Sequence, residues 1–137
     1  MALTHLVDTS VLTRLRHESV REIIEPRAAA GSLARAGISD LEIGYSARSG
    51  QEWDRALDAL GAFDLVETSS EHVRRARQVQ RLLAARHQRG RKVPGLLIAA
   101  AAEANRLVIL HYDADFDRIA AVTGQPVEWV VPAGTVD

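Results

Sequence analysis

Short apolar runs alternate along this chain with longer stretches in which apolar residues recur every third or fourth position. Thr4 to Val7 is a β-prone segment that leads into Asp8-Thr9-Ser10, residues that cap helices well, and Val11, Leu12 and Leu15 follow at helical spacing. The pattern predicts a strand, then a helix, with an Asp at the junction. In the Ala-rich stretch that follows, Pro26 can begin or kink a helix and Gly31 can end it. Gly37 to Asp40 predicts a second short strand leading into a helix that carries Leu41, Ile43 and Tyr45, with Glu42 in its first turn or just before it. Ser49-Gly50-Gln51 breaks the pattern; Trp53, Leu57 and Leu60 then share one helical face, which Gly61 closes.

Phe63 to Val66 predicts a third strand, and Thr68-Ser69-Ser70-Glu71 another strand-to-helix junction. A long helix follows through Val73, Val79, Leu82 and Leu83 to about Arg86, ending in the loop His87 to Gly90. Pro94 starts an Ala-rich helix, Leu96 to Asn105, whose small residues allow close packing on a sheet. Arg106 to Leu110 is the most hydrophobic strand candidate and ends in His111-Tyr112-Asp113; Asp115 to Val122 predicts a short helix and Val127 to Val131 a last strand. Strands that alternate with helices imply βα crossovers and a parallel sheet covered on both faces. The expected fold class is α/β, a three-layer α/β/α sandwich around about five parallel strands, in which ligands bind at the carboxyl ends of the strands.

The chain has 137 residues, 47% of them hydrophobic, which suits one domain, residues 1–137, with a single core. The absence of cysteine excludes disulfides, thiolate-bound metals and a cysteine nucleophile, so any metal must be held by oxygen or imidazole. Met1 to Asp8 is too short and too soon charged for a signal peptide, and no apolar run reaches the roughly 20 residues that span a bilayer. A soluble, cytoplasmic protein with no membrane partner is expected.

A net charge of −1 says little about nucleic acid, because the local field governs phosphate binding. The basic residues are unevenly spread: Arg74, Arg75, Arg77, Arg81, Arg86, Arg89, Arg91 and Lys92 crowd one stretch. The helical arginines read as a solvated face. Arg89, Arg91 and Lys92 lie just before Gly95 and can either be a solvated loop or hold RNA phosphates; Arg14, on the helix after Asp8, is a weaker candidate of the same kind, and Arg16 another.

Three predicted strand ends carry acids: Asp8, Glu42, and Asp113 with Asp115. In a parallel sheet these converge on one edge. Crowded carboxylates repel, and either protonation or a hard divalent cation relieves the repulsion; oxygen donors favour Mg²⁺ or Mn²⁺. Such a cation can activate water against a phosphodiester, with no side-chain nucleophile required. The alternative is structural, since an Asp before Thr or Ser is often a helix cap and Asp113-Ala114-Asp115 can be a cap plus a turn. His111 is the one histidine near this group and can either donate a proton to a leaving oxygen or simply end the strand. No P-loop is present, and Trp53, Leu57 and Leu60 read as core or dimer contacts rather than base-stacking platforms.

Four segments resemble those of a known family. Leu6 to Leu12 (LVDTSVL), Ser39 to Tyr45 (SDLEIGY), Leu96 to Ala102 (LLIAAAA) and Leu110 to Phe116 (LHYDADF) are similar, in order, spacing and total length, to PIN-domain endoribonucleases, most closely the VapC toxins of bacterial toxin–antitoxin pairs. The resemblance implies a PIN-like fold in which Asp8, Glu42 and Asp113 belong to a Mg²⁺-binding acidic cluster. Asp115 would be a further acid able to bind metal or orient water, and the hydroxyls of Thr9 and Ser10 would support the cluster. It also implies cleavage of structured RNA, tRNA or rRNA, silencing by a cognate VapB-type antitoxin whose C-terminal segment covers the groove, and a homodimer beside the toxin–antitoxin heterocomplex.

One position departs from the pattern. The family has an Asp immediately before the Leu-Leu-Ile-Ala-Ala run, and here that catalytic position is Gly95. Glycine offers no ligand and is a poor helix former. The expectation is a weakened or inactivated enzyme, by a change introduced or selected in a parent carrying Asp. A natural enzyme relying on Asp113 and Asp115 is the alternative within this class; a non-catalytic RNA- or antitoxin-binding module of the same fold is the alternative outside it.

Overall fold

A computed structural model describes residues 2–88 and 92–137. Five parallel strands form one sheet: β1 (His5–Val7), β2 (Leu33–Ala36), β3 (Asp64–Val66), β4 (Val108–His111) and β5 (Val127–Trp129). Their order is β3-β2-β1-β4-β5, so β1 is central and the order reverses beside it. Leu6 pairs with Ala34 on one side and Ile109 on the other. The helices are α1 (Thr9–Leu12), α2 (Glu18–Ala29), α3 (Gly37–Gly44), α4 (Gly50–Asp58), α5 (Ser70–Ala85), α6 (Val93–Ala104) and α7 (Asp115–Thr123), with a 3-10 turn at Ala59–Ala62.

Successive strand residues point to opposite faces, and the three central strands bury apolar side chains on both. Leu6, Ala34, Ala36 and Ile109 face a core completed by Ala76, Val79 and Leu83 of α5, Ile98 and Ala102 of α6, and Phe116 and Ile119 of α7. Val7, Leu33 and Leu110 face the other core, with Val11 and Leu12 of α1 and Val20 and Ile24 of α2. Each such Leu, Ile or Val side chain contributes about 1.5–3 kcal/mol on leaving water. The three-layer sandwich expected from the sequence is the observed fold.

The second strand is not where the pattern placed it. Gly37 to Asp40 is the start of α3, and the strand is Leu33–Ala36, four residues earlier. Its sequence, Leu-Ala-Arg-Ala, carries helix-favouring alanines, but between β1 and β3 both alanines fall on one face, buried in the core under α5, α6 and α7, while Leu33 is buried on the other. Glu42 accordingly sits well inside α3, beyond its first turn. Pro26 does not begin a helix: it lies on the exposed side of α2 near its end, eight residues after the start at Glu18, while Gly31 follows that helix with φ +73°. Ser69 caps α5 by accepting from His72 N, and His72 Nδ1 accepts from Ser69 N in return. Pro94 is in the first turn of α6, where its missing N–H has no helical partner to lose. Among the described residues no helix is long and apolar enough to cross a membrane.

Candidate functional site

The carboxyl ends of β1 and β4, adjacent strands, each deliver an acid to one edge of the sheet. Asp8 leaves β1, with its backbone N–H donated to Leu110 O of β4 at 2.9 Å. Its side chain turns back to accept from Ser10 N at 3.0 Å, capping α1. The cap and the acid expected at this place are therefore the same residue. Asp8 is 6% exposed, and its carboxyl is pushed up to about 6: burial outweighs the downward pull of the hydrogen bonds from Ser10, and Glu42 and Asp113 add smaller upward pushes.

Glu42 arrives from α3 and is exposed. Its Oε1 accepts from Thr9 Oγ1 at 2.7 Å, and the same Thr9 hydroxyl is 2.8 Å from Ser39 Oγ. Ser39 is fully buried. It was not singled out in the sequence, although it stands three residues before Glu42, one turn away on the same helix face. Ser10 also supports the Asp113 segment: its Oγ accepts from Tyr112 N at 2.9 Å.

Asp113 Oδ1 accepts from Asp115 N at 2.9 Å, and Asp115 Oδ1 accepts from Arg118 Nη1 at 2.7 Å. Arg118, one helical turn after Asp115, was likewise missed. His111 does not reach the pocket. It is fully buried between the rings of Phe116 and Trp129, and its Nδ1 accepts from Asp113 N at 3.2 Å. Burial holds its pKa below the usual imidazole value, against the opposite pull of Asp117 and Asp113. It positions Asp113, and the proton-donor role open to it in the sequence has no geometry here.

Asp8, Thr9, Ser10, Glu42, Lys92, Pro94, Gly95, Asp113 and Asp115 line one open pocket of about 280 Å³. The four acids and Gly95, far apart in sequence, thus share a surface. A Cβ built on Gly95 would meet only Phe116 Cζ, at 3.8 Å, which is ordinary van der Waals contact, so the backbone there tolerates a side chain. Arg14 is turned away: its guanidinium lies 4.7 Å above the Tyr112 ring and donates to Ser10 O. Lys92 is exposed on the rim, at the cap of α6. Arg89 and Arg91 lie outside the described residues.

Among the described residues no three acids or histidines stand close enough to form a ready-made metal cage. Each carboxylate has one oxygen engaged by Ser10, Thr9, Asp115 or Arg118. The donor set nevertheless fits a hard cation. Mg²⁺ keeps several waters and needs only one or two carboxylates from the protein, and Asp8 is an acid whose ionisation a nearby cation would favour.

The PIN-domain family model matches residues 5–122. The chain belongs to the PIN-domain family. This PIN domain is 64% identical to "Ribonuclease VapC51" of Mycobacterium tuberculosis over all of both chains. Solved structures of similar fold include VapBC2 from Rickettsia felis bound to a DNA fragment from their promoter, at a TM-score of 0.76 and 18% identity over 93% of this chain and 98% of that one. A toxin–antitoxin complex from Klebsiella pneumoniae superposes at 0.72 with 22% identity, covering 93% and 98% of the two chains. At those identities the likeness concerns the fold alone, whereas the likeness to the ribonuclease extends along the whole sequence.

Proposed function

We propose that residues 1–137 fold as one PIN domain that is the toxin of a toxin–antitoxin pair, an endoribonuclease hydrolysing a phosphodiester bond in structured RNA, tRNA or rRNA. The observation that carries this reading is the convergence of Asp8, Glu42, Asp113 and Asp115 on one pocket at the sheet edge, in a chain 64% identical to a ribonuclease. Asp8, Glu42 and Asp113 would hold Mg²⁺, or Mn²⁺, with Asp115 contributing once released from Arg118. The cation would supply an activated water and stabilise charge on the phosphoryl oxygens. Thr9 and Ser39 orient Glu42, Ser10 and His111 fix the Asp113 segment, and Lys92 on the rim offers a charge for a phosphate.

Gly95 leaves this ligand set short of a carboxylate on the α6 side of the pocket. We infer that it lowers metal affinity and turnover, because cation position and water activation depend on the whole set. The same observation, with no ready-made cage among the described residues, favours the second reading, a non-catalytic RNA- or antitoxin-binding module. A protein partner is supported by Leu41 of α3, Tyr45 just after it and Trp53 of α4, which are exposed; Trp53 lies against Gly44, where a Cβ would collide with its indole. A cognate antitoxin or a second copy of the chain would cover that surface.

The test is cleavage of total tRNA by this chain and by its Gly95→Asp variant, with Mg²⁺ and with chelator. Metal-dependent cleavage gained or strongly enhanced in the variant supports a nuclease weakened at one ligand. Equal metal-dependent cleavage by both shows that the four acids suffice. Absence of cleavage by either, on tRNA and on rRNA alike, supports the binding module.

A further inference from the structure

The carboxylate pocket is lined by four acids and, among the described residues, one basic side chain, Lys92, so holding a folded RNA requires contacts elsewhere. Helix α5 offers such a surface. One side of it, Ala76, Val79 and Leu83, is buried in the core, and on the other Arg74, Arg77 and Arg81 follow one another at spacings of three and four, which puts them in one row. The row spans about 10 Å of helix at 1.5 Å per residue.

Its charge is poorly compensated. Glu71 is the one acid in α5, and it pairs with Arg74 at the start of the row. Arg75 is drawn out of the row by Glu103 of α6. Arg77, Arg81 and, just beyond the helix, Arg86 are exposed and have no hydrogen bond or ion pair with a described residue. A row kept only for solubility gains from alternating signs, whereas an uncompensated row of guanidiniums has the planar donor geometry that matches phosphates.

The row is also continuous with the site. Arg77 borders a shallow groove of about 170 Å³ whose opposite wall is Val93, Leu96 and Leu97 of α6. Pro94 and Gly95, in the same first turns of α6, line the carboxylate pocket. A single strand of phosphates crossing α6 at its start therefore meets the acids on one side and the arginine row on the other. We propose that Arg74, Arg77 and Arg81 of α5 form a docking surface for the sugar–phosphate backbone of a structured RNA, set apart from the carboxylate pocket and used to hold the substrate rather than to cut it. The inference rests on the nuclease reading for the identity of its ligand, and its test needs no cleavage.

The experiment measures binding of fluorescently labelled total tRNA, and of a short single-stranded oligonucleotide, in chelator over a series of KCl concentrations. It uses the full chain, its Arg77→Gln/Arg81→Gln variant and its Arg77→Lys/Arg81→Lys variant, with thermal melts to establish that all three are equally folded. The expected result is weaker tRNA binding by the Gln variant, with a slope of log affinity against log salt shallower by about two units; over a fourfold rise in salt its affinity then falls by about tenfold less. The short oligonucleotide, which offers fewer phosphates, loses less affinity than tRNA does, and the Lys variant recovers the slope.

An unchanged tRNA affinity and slope in the Gln variant, or no tRNA binding by the parent chain, overturns the proposal. Polyglutamate bound more tightly than tRNA, in a manner dependent on Arg77 and Arg81, also overturns it, in favour of an acidic protein segment on this face. Loss of the nuclease reading looks different: Gly95→Asp then fails to cut RNA while the Gln variant still shows the shallower slope.

Discussion

Thr9 Oγ1 donates to Glu42 Oε1 at 2.7 Å, joining the first turn after β1 to the middle of α3 across 33 residues of sequence. The same hydroxyl touches the fully buried Ser39, so one threonine satisfies a core polar group and aims a pocket carboxylate. Thr9→Val keeps the shape and removes the hydroxyl. It should destabilise the fold by about 1 kcal/mol, mainly through the unpaired Ser39. It should also weaken Mg²⁺ binding by about tenfold or more, as loss of a group orienting a ligand does elsewhere. Urea denaturation and the Mg²⁺-induced rise in Tm would show both effects, and Thr9→Ser should show little of either.

Asp8 yields a pH-dependent prediction. Its carboxyl is raised from 3.8 to about 6, so the native state holds this proton more tightly than the unfolded chain does. Its contribution is neutral below the unfolded value, grows unfavourable as pH rises between the two, and is fully unfavourable above the native value. Asp8→Asn retains an oxygen to accept from Ser10 N and removes the charge. In metal-free buffer it should stabilise the protein above the native pKa by on the order of 2 kcal/mol, an advantage that disappears towards about pH 4. Added Mg²⁺ should raise the Tm of the parent chain more than that of the variant. A variant less stable than the parent at neutral pH without metal would contradict the burial argument.

At Gly95 two substitutions separate helix chemistry from site chemistry. Gly95→Ala places a methyl in ordinary contact with Phe116 and should stabilise α6 by about 0.5 kcal/mol, with no change in RNA cleavage. Gly95→Asp adds a charge on the wall of the pocket that Asp8 and Glu42 line, so its Tm should respond to Mg²⁺ more steeply than that of the Ala variant. Equal metal responses in the two would remove Gly95 from the account of the site.

His111 supports Asp113 by accepting its backbone N–H, and it does so as a neutral ring between two aromatic neighbours. His111→Phe should retain most of the packing and lose the acceptor, leaving Asp113 N unpaired at a cost of about 1–3 kcal/mol. Amide exchange at Asp113 and Tyr112 should quicken relative to β4 itself. Unaltered protection there would mean that Ser10 alone holds the segment.

Asp8, Asp113 and Asp115 were readable in the sequence because each stands at the end of an apolar run, where chain direction alone fixes the edge of the sheet. Glu42 was readable only as an acid near a strand end. Ser39 to Glu42 has the Ser-x-x-Glu spacing of a helix start, but α3 begins two residues earlier, at Gly37, because the preceding strand occupies Leu33–Ala36. That strand was illegible locally, since its alanines are selected by burial between neighbours the pattern cannot see. Arg14 shows the same limit. On charge it was a candidate for phosphate, and the fold stacks it on Tyr112, almost a hundred residues away.

Because β1 is the central strand, its pairing with β4 sets Leu6 against Ile109, near opposite ends of the chain. A ribosome synthesising this protein releases the Asp8 strand well before the Asp113 segment. The intervening helices can form early, but the sheet edge that gathers the acids waits for β4. A fragment truncated before Val108 would carry Asp8 and Glu42 yet lack the strand that brings Asp113 into the same pocket, so prematurely terminated chains should be without the assembled carboxylate site.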